Sequence, residues 1–188
     1  MDTDTRTILD RFKEYALSDA DIREFEPNTN IFTYPYLNEV SHIDEVLDRN
    51  GRAIMLFLTE NEQTGHWLAI MKRGKTIEVY DSYGKKPDSA EFISNLGAGK
   101  DDMERFGQSE KLLTDLIRDS GYKLEWNKNA VQPGSKGVNT CGRHAVMRLM
   151  LGHLPLREYN ALLGRIKSKT GIGADDLATA LTADVIGK

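Results

Sequence analysis

The residues of this chain that could carry nucleophilic or acid–base chemistry begin with its one cysteine and its four histidines. The cysteine lies in Asn139-Thr140-Cys141-Gly142-Arg143-His144, directly ahead of the apolar run Ala145 to Leu151 and behind a polar, Gly-rich approach from Gln132 to Thr140. That change of texture predicts a helix starting at the cysteine, with Asn139 or Thr140 as its N-cap. The first N–H groups of a helix lack intrahelical partners and sit at the positive end of its dipole. Both favour thiolate over thiol, and cysteines so placed can have pKa values lowered to roughly 3.5–7.5. The competing reading is a core filler, since free cysteine is among the most buried residue types.

A nucleophilic thiol needs a base, and the base a group that orients it. His144 shares the cysteine's own helix face at i+3, His153 sits at that helix's far end, and His42 heads a short helix. His66 opens a strand-like run, His66 to Lys72, which is followed by a second, Lys75 to Ser82. If Arg73-Gly74 is a two-residue hairpin turn, Lys72 faces Lys75 and His66 faces Asp81. A four-residue loop from Lys72 to Lys75 keeps that register and a three-residue loop shifts it. Opposed residues of an antiparallel pair have Cβ atoms roughly 4.5–5.5 Å apart on one face, which suits a carboxylate accepting the second imidazole N–H. Glu78 would face Ala69 instead. A plain cross-strand ion pair is the bland alternative, and the cysteine downstream weighs against it.

The elements that must position these residues follow from pattern. Ile8, Leu9, Phe12 and Leu17 fall at helical spacing, and Ser18 with Asp21 resembles a helix start. Pro27 to Pro35 reads as irregular, and Ser41 with Asp44 and Glu45 opens a short helix that Asn50-Gly51 closes. Ala53 to Leu58 is a continuous apolar run of strand length, and the two runs after it make a β-hairpin. Helices are expected from Pro87-Asp88-Ser89 and over Met103 to Asp119, and a fourth strand over Tyr122 to Trp126. After the cysteine helix come one following Pro155 and a last one from Gly173, carrying Leu177, Leu181 and Ile186. Strands in the middle with helices before and after predict an α+β fold.

At 188 residues, with 39% hydrophobic and 29% charged side chains, the chain reads as one globular domain, residues 1–188. Its formal net charge of −4 gives no support to nucleic acid as the main partner. A lone cysteine forms no internal disulfide, so nothing implies an oxidising compartment. No apolar stretch has the length of a membrane span or the form of a signal peptide, and no metal-ligand cluster of the usual spacing is present.

In order, Gly65-His66-Trp67, Tyr80-Asp81-Ser82-Tyr83-Gly84, Gln132 and Thr140-Cys141-Gly142 resemble the adenovirus-protease (adenain) and SUMO-protease-like clan of cysteine peptidases. The wording Asp-Ser-Tyr-Gly and Asn-Thr-Cys-Gly-Arg-His is most similar to capsid-maturation proteases of virophages, Polinton-type elements and large DNA viruses. The matching motifs run from about Gly65 to Leu151. The resemblance implies a papain-like superfold with permuted His-Asp-Gln-Cys order, a central mostly antiparallel sheet flanked by helices, and Cys141 at the N-terminus of a buried central helix. Carried over, it makes Cys141 the nucleophile, His66 the general base and Asp81 its orienting acid. Gln132 and the backbone N–H of Cys141 would form the oxyanion hole, and Gly65, Trp67, Asn139, Thr140 and Gly142 the substrate cleft. Gln132 to Cys141 is about two residues longer than in adenain-like proteins, through Pro133 to Gly137, and the acid is aspartate where adenain has glutamate.

The implied function is a viral thiol endopeptidase that cleaves capsid or other virion precursors at Gly-containing sites, in the virion and host-cell cytoplasm, without cofactor, metal or membrane. A ubiquitin-like or SUMO-type isopeptidase is the alternative, ahead of a non-catalytic binding module. Without a second cysteine, any activating peptide would lack a disulfide tether. The basic groups Lys72-Arg73-Lys75 and Lys85-Lys86 read as solvated surface and give a DNA partner little support.

Overall fold

The computed structural model describes residues 3–132 and 138–183. The expected loop from Pro133 to Gly137 and the apolar position Ile186 lie outside the described residues. A five-stranded sheet runs β1 (Asn30–Thr33), β2 (Arg52–Asn61), β3 (Thr64–Arg73), β4 (Thr76–Tyr80), β5 (Lys123–Trp126) in spatial order. The inner pairs β2–β3 and β3–β4 are antiparallel, and the outer strands join parallel to their neighbours.

The long apolar runs of β2 and β3 are explained by cover on both faces. Ile54, Leu56, Leu58, Trp67, Ala69 and Met71 form one core with Leu17, Ala145, Val146, Leu149 and Tyr159. Met55, Phe57, Leu68, Ile70, Ile77 and Val79 form a second with Tyr34, Phe92, Leu113 and Ile117. Onto the first face pack α2 (Asp19–Phe25), α6 (Cys141–Met150), α7 (Leu156–Thr170) and α8 (Ala174–Leu181). The other face is covered by α3 (Ala90–Leu96), α4 (Lys100–Arg105) and α5 (Leu112–Asp119), together with short 3-10 turns at Tyr34–Glu39 and Ile43–Val46. An N-terminal helix, α1 (Thr3–Glu14), lies against α8. The start read at Ser18 is a complete capping box: Ser18 Oγ accepts from the Asp21 N–H, and Asp21 Oδ2 accepts from the Ser18 N–H at 2.8 Å.

Three expectations are corrected. Residues 27–35 are not wholly irregular: Asn30–Thr33 is an edge strand, anchored by Asn30 Nδ2 donating to the Val46 carbonyl at 3.1 Å. Four residues are too few to display a period. The expected single helix over Met103 to Asp119 is two, because Gly107 takes φ +66° and Gln108 turns its amide to the Leu58 carbonyl at 2.5 Å. The hairpin turn is Gly74-Lys75 rather than Arg73-Gly74, so Arg73 faces Thr76 and Glu78 faces Met71. Gly74, at φ +58°, supplies the left-handed conformation that a two-residue hairpin turn requires at its first central position. The register therefore moves by two residues, and Asp81 lies diagonal to His66 rather than opposite it.

The sheet narrows at one end. β3 stays paired with β2 as far as Thr64, but with β4 only as far as Ala69. His66 and Trp67 thus border an opening where β4 has already ended.

Candidate active site

His66 and Asp81 share the face of the sheet that carries Leu68, Ile70 and Val79, since a shift of two residues leaves the alternation of side chains intact. Diagonal Cβ atoms lie roughly 7–8 Å apart, within reach of a long or aromatic side chain, and the imidazole spans the gap: His66 Nε2 is 2.6 Å from Asp81 Oδ1. Asp81 is completely buried and has further donors. The backbone N–H groups of Tyr83 and Lys85 bond its two carboxylate oxygens at 3.0 and 2.8 Å. Asn127, just past β5, grips the Asp81 backbone on both sides, accepting from its N–H at 2.8 Å and donating to its carbonyl. Tyr83 stacks on the imidazole with centroids 4.8 Å apart and planes 20° from parallel.

Cys141 is the first residue of α6 and is half-buried. It comes from the opposite layer and meets His66 through the opening beyond β4. The His66 imidazole and the backbone N–H groups of Trp67 and Gly142 lie near enough to the thiol to act on its ionisation. With Nε2 committed to Asp81, Nδ1 is the ring nitrogen left for the sulfur. Burial opposes ionisation of the thiol, but the His66 hydrogen bond and charge, with those two N–H groups, outweigh it and hold Cys141 below the ordinary cysteine value. Burial likewise opposes the imidazolium, yet the hydrogen bond and charge of Asp81, followed by those of Cys141, push His66 up to about 10. A thiol lowered beside an imidazole raised favours a thiolate–imidazolium pair near neutral pH.

The remaining sequence-derived positions divide by what they touch. Gln132 is buried beside the Asp81 turn: its Oε1 accepts from Ser82 Oγ at 2.7 Å, and its Nε2 donates to the Val138 carbonyl at 3.3 Å. Trp67 is buried and donates its indole N–H to the Leu17 carbonyl at 2.9 Å, while walling a cavity of about 500 Å³ shared with Leu17, Ile31, Phe32 and Gln63. Gly142 lets α6 start against that indole; a Cβ there would lie 3.0 Å from Trp67 Cδ1. Gly65 is demanded by strand packing, because a Cβ would fall 2.0 Å from the Phe57 carbonyl oxygen. Thr140 occupies the N-cap position but makes no side-chain cap, and Asn139 bonds backward to the Lys13 and Glu14 carbonyls. Among the described residues there is no cluster of His, Cys, Asp and Glu able to hold a metal ion.

Over 176 residues the chain is 32% identical to uncharacterized protein V9 of the Sputnik virophage, a match covering 93% of this chain and 98% of that protein. The chain belongs to the family of that virophage protein. No family model matches it. Among solved structures it is similar to the ASFV pS273R protease, with a TM-score of 0.44 and 15% identity over 92% of this chain and 68% of that one. It is also similar to the SUMO protease Ulp1 with its catalytic cysteine oxidized to a sulfinic acid, with a TM-score of 0.37 and 17% identity over 95% of this chain and 77% of that one.

Sequence reasoning missed three residues here: Tyr83 over the imidazole, Asn127 behind Asp81, and Asp175, which bonds both Thr140 and His144. Tyr83 lay inside a quoted motif, but nothing in the spacing signals a stack. Asn127 and Asp175 sit 46 and 35 residues from the partners they bond, Asp81 and Thr140, and carry no local mark.

Proposed function

We propose that this chain is a virus-encoded cysteine endopeptidase in which Cys141 is the nucleophile, His66 the acid–base group and Asp81 the residue that orients the imidazole. The observation that carries this reading is the shared imidazole: Asp81 lies 2.6 Å from Nε2, and the same ring acts on the ionisation of the thiol at the start of α6. In the first step the Cys141 thiolate attacks the scissile carbonyl carbon and the C=O electron pair moves onto oxygen. The C–N bond then breaks as His66 delivers its proton to the departing amine. In the second, His66 takes a proton from water, the hydroxide attacks the thioester, and the thiolate leaves to regenerate the enzyme. The Cys141 backbone N–H and the Gln132 amide are assigned to the oxyanion. Gln132 Nε2 carries two N–H groups; one donates to the Val138 carbonyl at 3.3 Å, which leaves the second for the oxyanion. Trp67 and the cavity beside it form a wall of the substrate cleft, and Asn139 an exposed edge, with the buried Thr140 and Gly142 behind it.

Kinship with a virophage protein supports a viral setting; capsid or other virion precursors as substrates, and the preference for glycine near the cut, come from the motif resemblance. Processing would take place in the virion and the host-cell cytoplasm, which suits a chain whose one cysteine must stay reduced. Among the described residues no helix is long and apolar enough to cross a membrane.

The test is mass spectrometry after brief exposure to a vinyl sulfone peptide ending in Gly-Gly. Stoichiometric labelling at Cys141 that vanishes in His66→Ala is expected, and absence of labelling in the folded wild-type protein overturns the reading. Offering capsid precursors alongside a ubiquitin-like precursor then separates virion processing from isopeptidase activity.

A further inference from the structure

The two residues that flank the nucleophile are tied to a single oxygen. Asp175, in the first turn of α8, is buried, and its Oδ1 accepts from Thr140 Oγ1 at 2.6 Å and bonds His144 Nε2 at 2.7 Å. Thr140 immediately precedes Cys141, and His144 lies one turn after it on the same helix. Both are completely buried. Two hydrogen bonds to one carboxylate oxygen from residues 140 and 144 fix the first turn of α6 in translation and in rotation.

The direction in which Thr140 points matters as much as the tether. A threonine at an N-cap ordinarily turns its hydroxyl to accept from the second or third N–H of the helix. Here those positions are Gly142 and Arg143. The hydroxyl is drawn to Asp175 instead and makes no cap, which leaves the Gly142 N–H for the sulfur. Around this carboxylate the chain ends close on the catalytic segment. Arg143 donates to the Thr182 carbonyl and hydroxyl at 2.8 and 2.7 Å and to the Phe12 carbonyl at 3.0 Å. Lys13 pairs with Asp176 at 2.6 Å, and the Asn139 N–H donates to the Lys13 carbonyl at 2.7 Å.

We propose that Asp175 is a positioning residue for the nucleophile. It holds Thr140 and His144, keeps the Thr140 hydroxyl off the helix start, and with α1 and α8 makes the two chain ends a clamp on Cys141. The assignment rests on Cys141 being the reactive thiol. Asp175 touches neither the sulfur nor the substrate in this scheme; it acts through the residues beside Cys141.

The experiment compares wild type, Asp175→Ala, Asp175→Asn and Thr140→Val, each checked for folding by circular dichroism. The readouts are the rate of Cys141 alkylation by iodoacetamide at neutral pH and kcat and KM on a fluorogenic Gly-Gly peptide. Displacement of a reacting group by about 1 Å can cost about 10²-fold. A kcat lower by about that factor in Asp175→Ala, with KM unchanged within about twofold and alkylation slowed about tenfold, is therefore expected. Asp175→Asn keeps an acceptor oxygen and should recover most of the loss. Thr140→Val leaves the Asp175–His144 pair in place, should give a smaller loss of the same kind, and decides the matter if Asp175→Ala does not fold. Unchanged alkylation and kcat in folded variants overturn the positioning role, as does a change confined to KM. A wild-type thiol that iodoacetamide does not modify sinks instead the assignment of Cys141 as nucleophile.

Discussion

The two ends of α6 each hold buried charge, and the contrast between them separates the candidate site from a brace. At the C-terminal end Arg148 is completely buried and donates to both Glu78 oxygens, at 2.7 and 3.0 Å. Its other N–H groups reach the Leu151 and Leu154 carbonyls, and its guanidinium lies 4.6 Å from the Tyr159 ring centroid. Arg73 closes the cluster, bonding Glu78 at 3.0 Å and the Gly152 and Leu154 carbonyls at 2.6 and 2.9 Å. The carbonyls of the C-cap Leu151 and of Gly152 and Leu154 in the turn after α6 are taken up by these two cations, and the carboxylate is matched on both oxygens. At the N-terminal end Asp81 is as thoroughly bonded, but the imidazole it holds lies beside a half-buried thiol. Spent hydrogen-bonding capacity makes a brace; capacity held back at one atom makes a site.

The comparison is broken most sharply at the thiol. Cys141→Ala should drop turnover to background, a loss on the order of 10⁴-fold or more, while the thermal midpoint stays within a few degrees. A normal rate would return the cysteine to the role of core filler. The reverse pattern is expected at the brace. Glu78→Gln leaves the buried Arg148 and the half-buried Arg73 without their carboxylate, and removing one partner of a buried ion pair costs about 3–5 kcal/mol. Denaturant unfolding should register that loss, while kcat per folded molecule stays near wild type.

The pH profile sharpens the assignment of charge. The rate of the proposed peptidase should rise through a Cys141 pKa below its ordinary value of 9.0 and fall as the imidazolium is lost near 10. For stability, the raised His66 pKa means its contribution is complete below its ordinary 6.5 and disappears as pH climbs through about 10. The lowered Cys141 pKa acts in the opposite sense: its contribution is complete above 9.0 and is lost as pH falls through the folded value. A rate profile governed by an unshifted thiol would contradict the ion pair. The smallest effect belongs to Tyr83. Aromatic pairs are worth about 0.5–1.5 kcal/mol beyond burial, so Tyr83→Ala should lower kcat about two- to tenfold by freeing the imidazole, with Tyr83→Phe close to wild type.

Much of the site was legible in the letters because its signals are local. A polar, Gly-rich approach running into an apolar stretch places Cys141 at a helix start, and two strand-like runs separated by a glycine put His66 and Asp81 on one hairpin. The partner was read correctly from a register that was wrong by two. Side chains alternate with a period of two, so a two-residue shift keeps the face and only a one-residue shift would have lost it. Gln132 was singled out by the motif resemblance alone, as an oxyanion donor, and the structure sets it beside the Asp81 turn, where the Ser82 hydroxyl bonds its amide.

By itself, then, the sequence determined the α+β class, the helix start at Cys141 and the pairing of imidazole with carboxylate, since each follows from the properties of neighbouring residues. The tertiary structure decided the rest. Gly74 set the hairpin register through a backbone angle that residue identity only permits, and β1 exists because the open edge of β2 accepts it. Asp175, Asn127 and the Arg73–Glu78–Arg148 brace bond across chain separations that no local period can encode. Their partners are selected by which buried polar groups the packed layers bring within hydrogen-bonding distance.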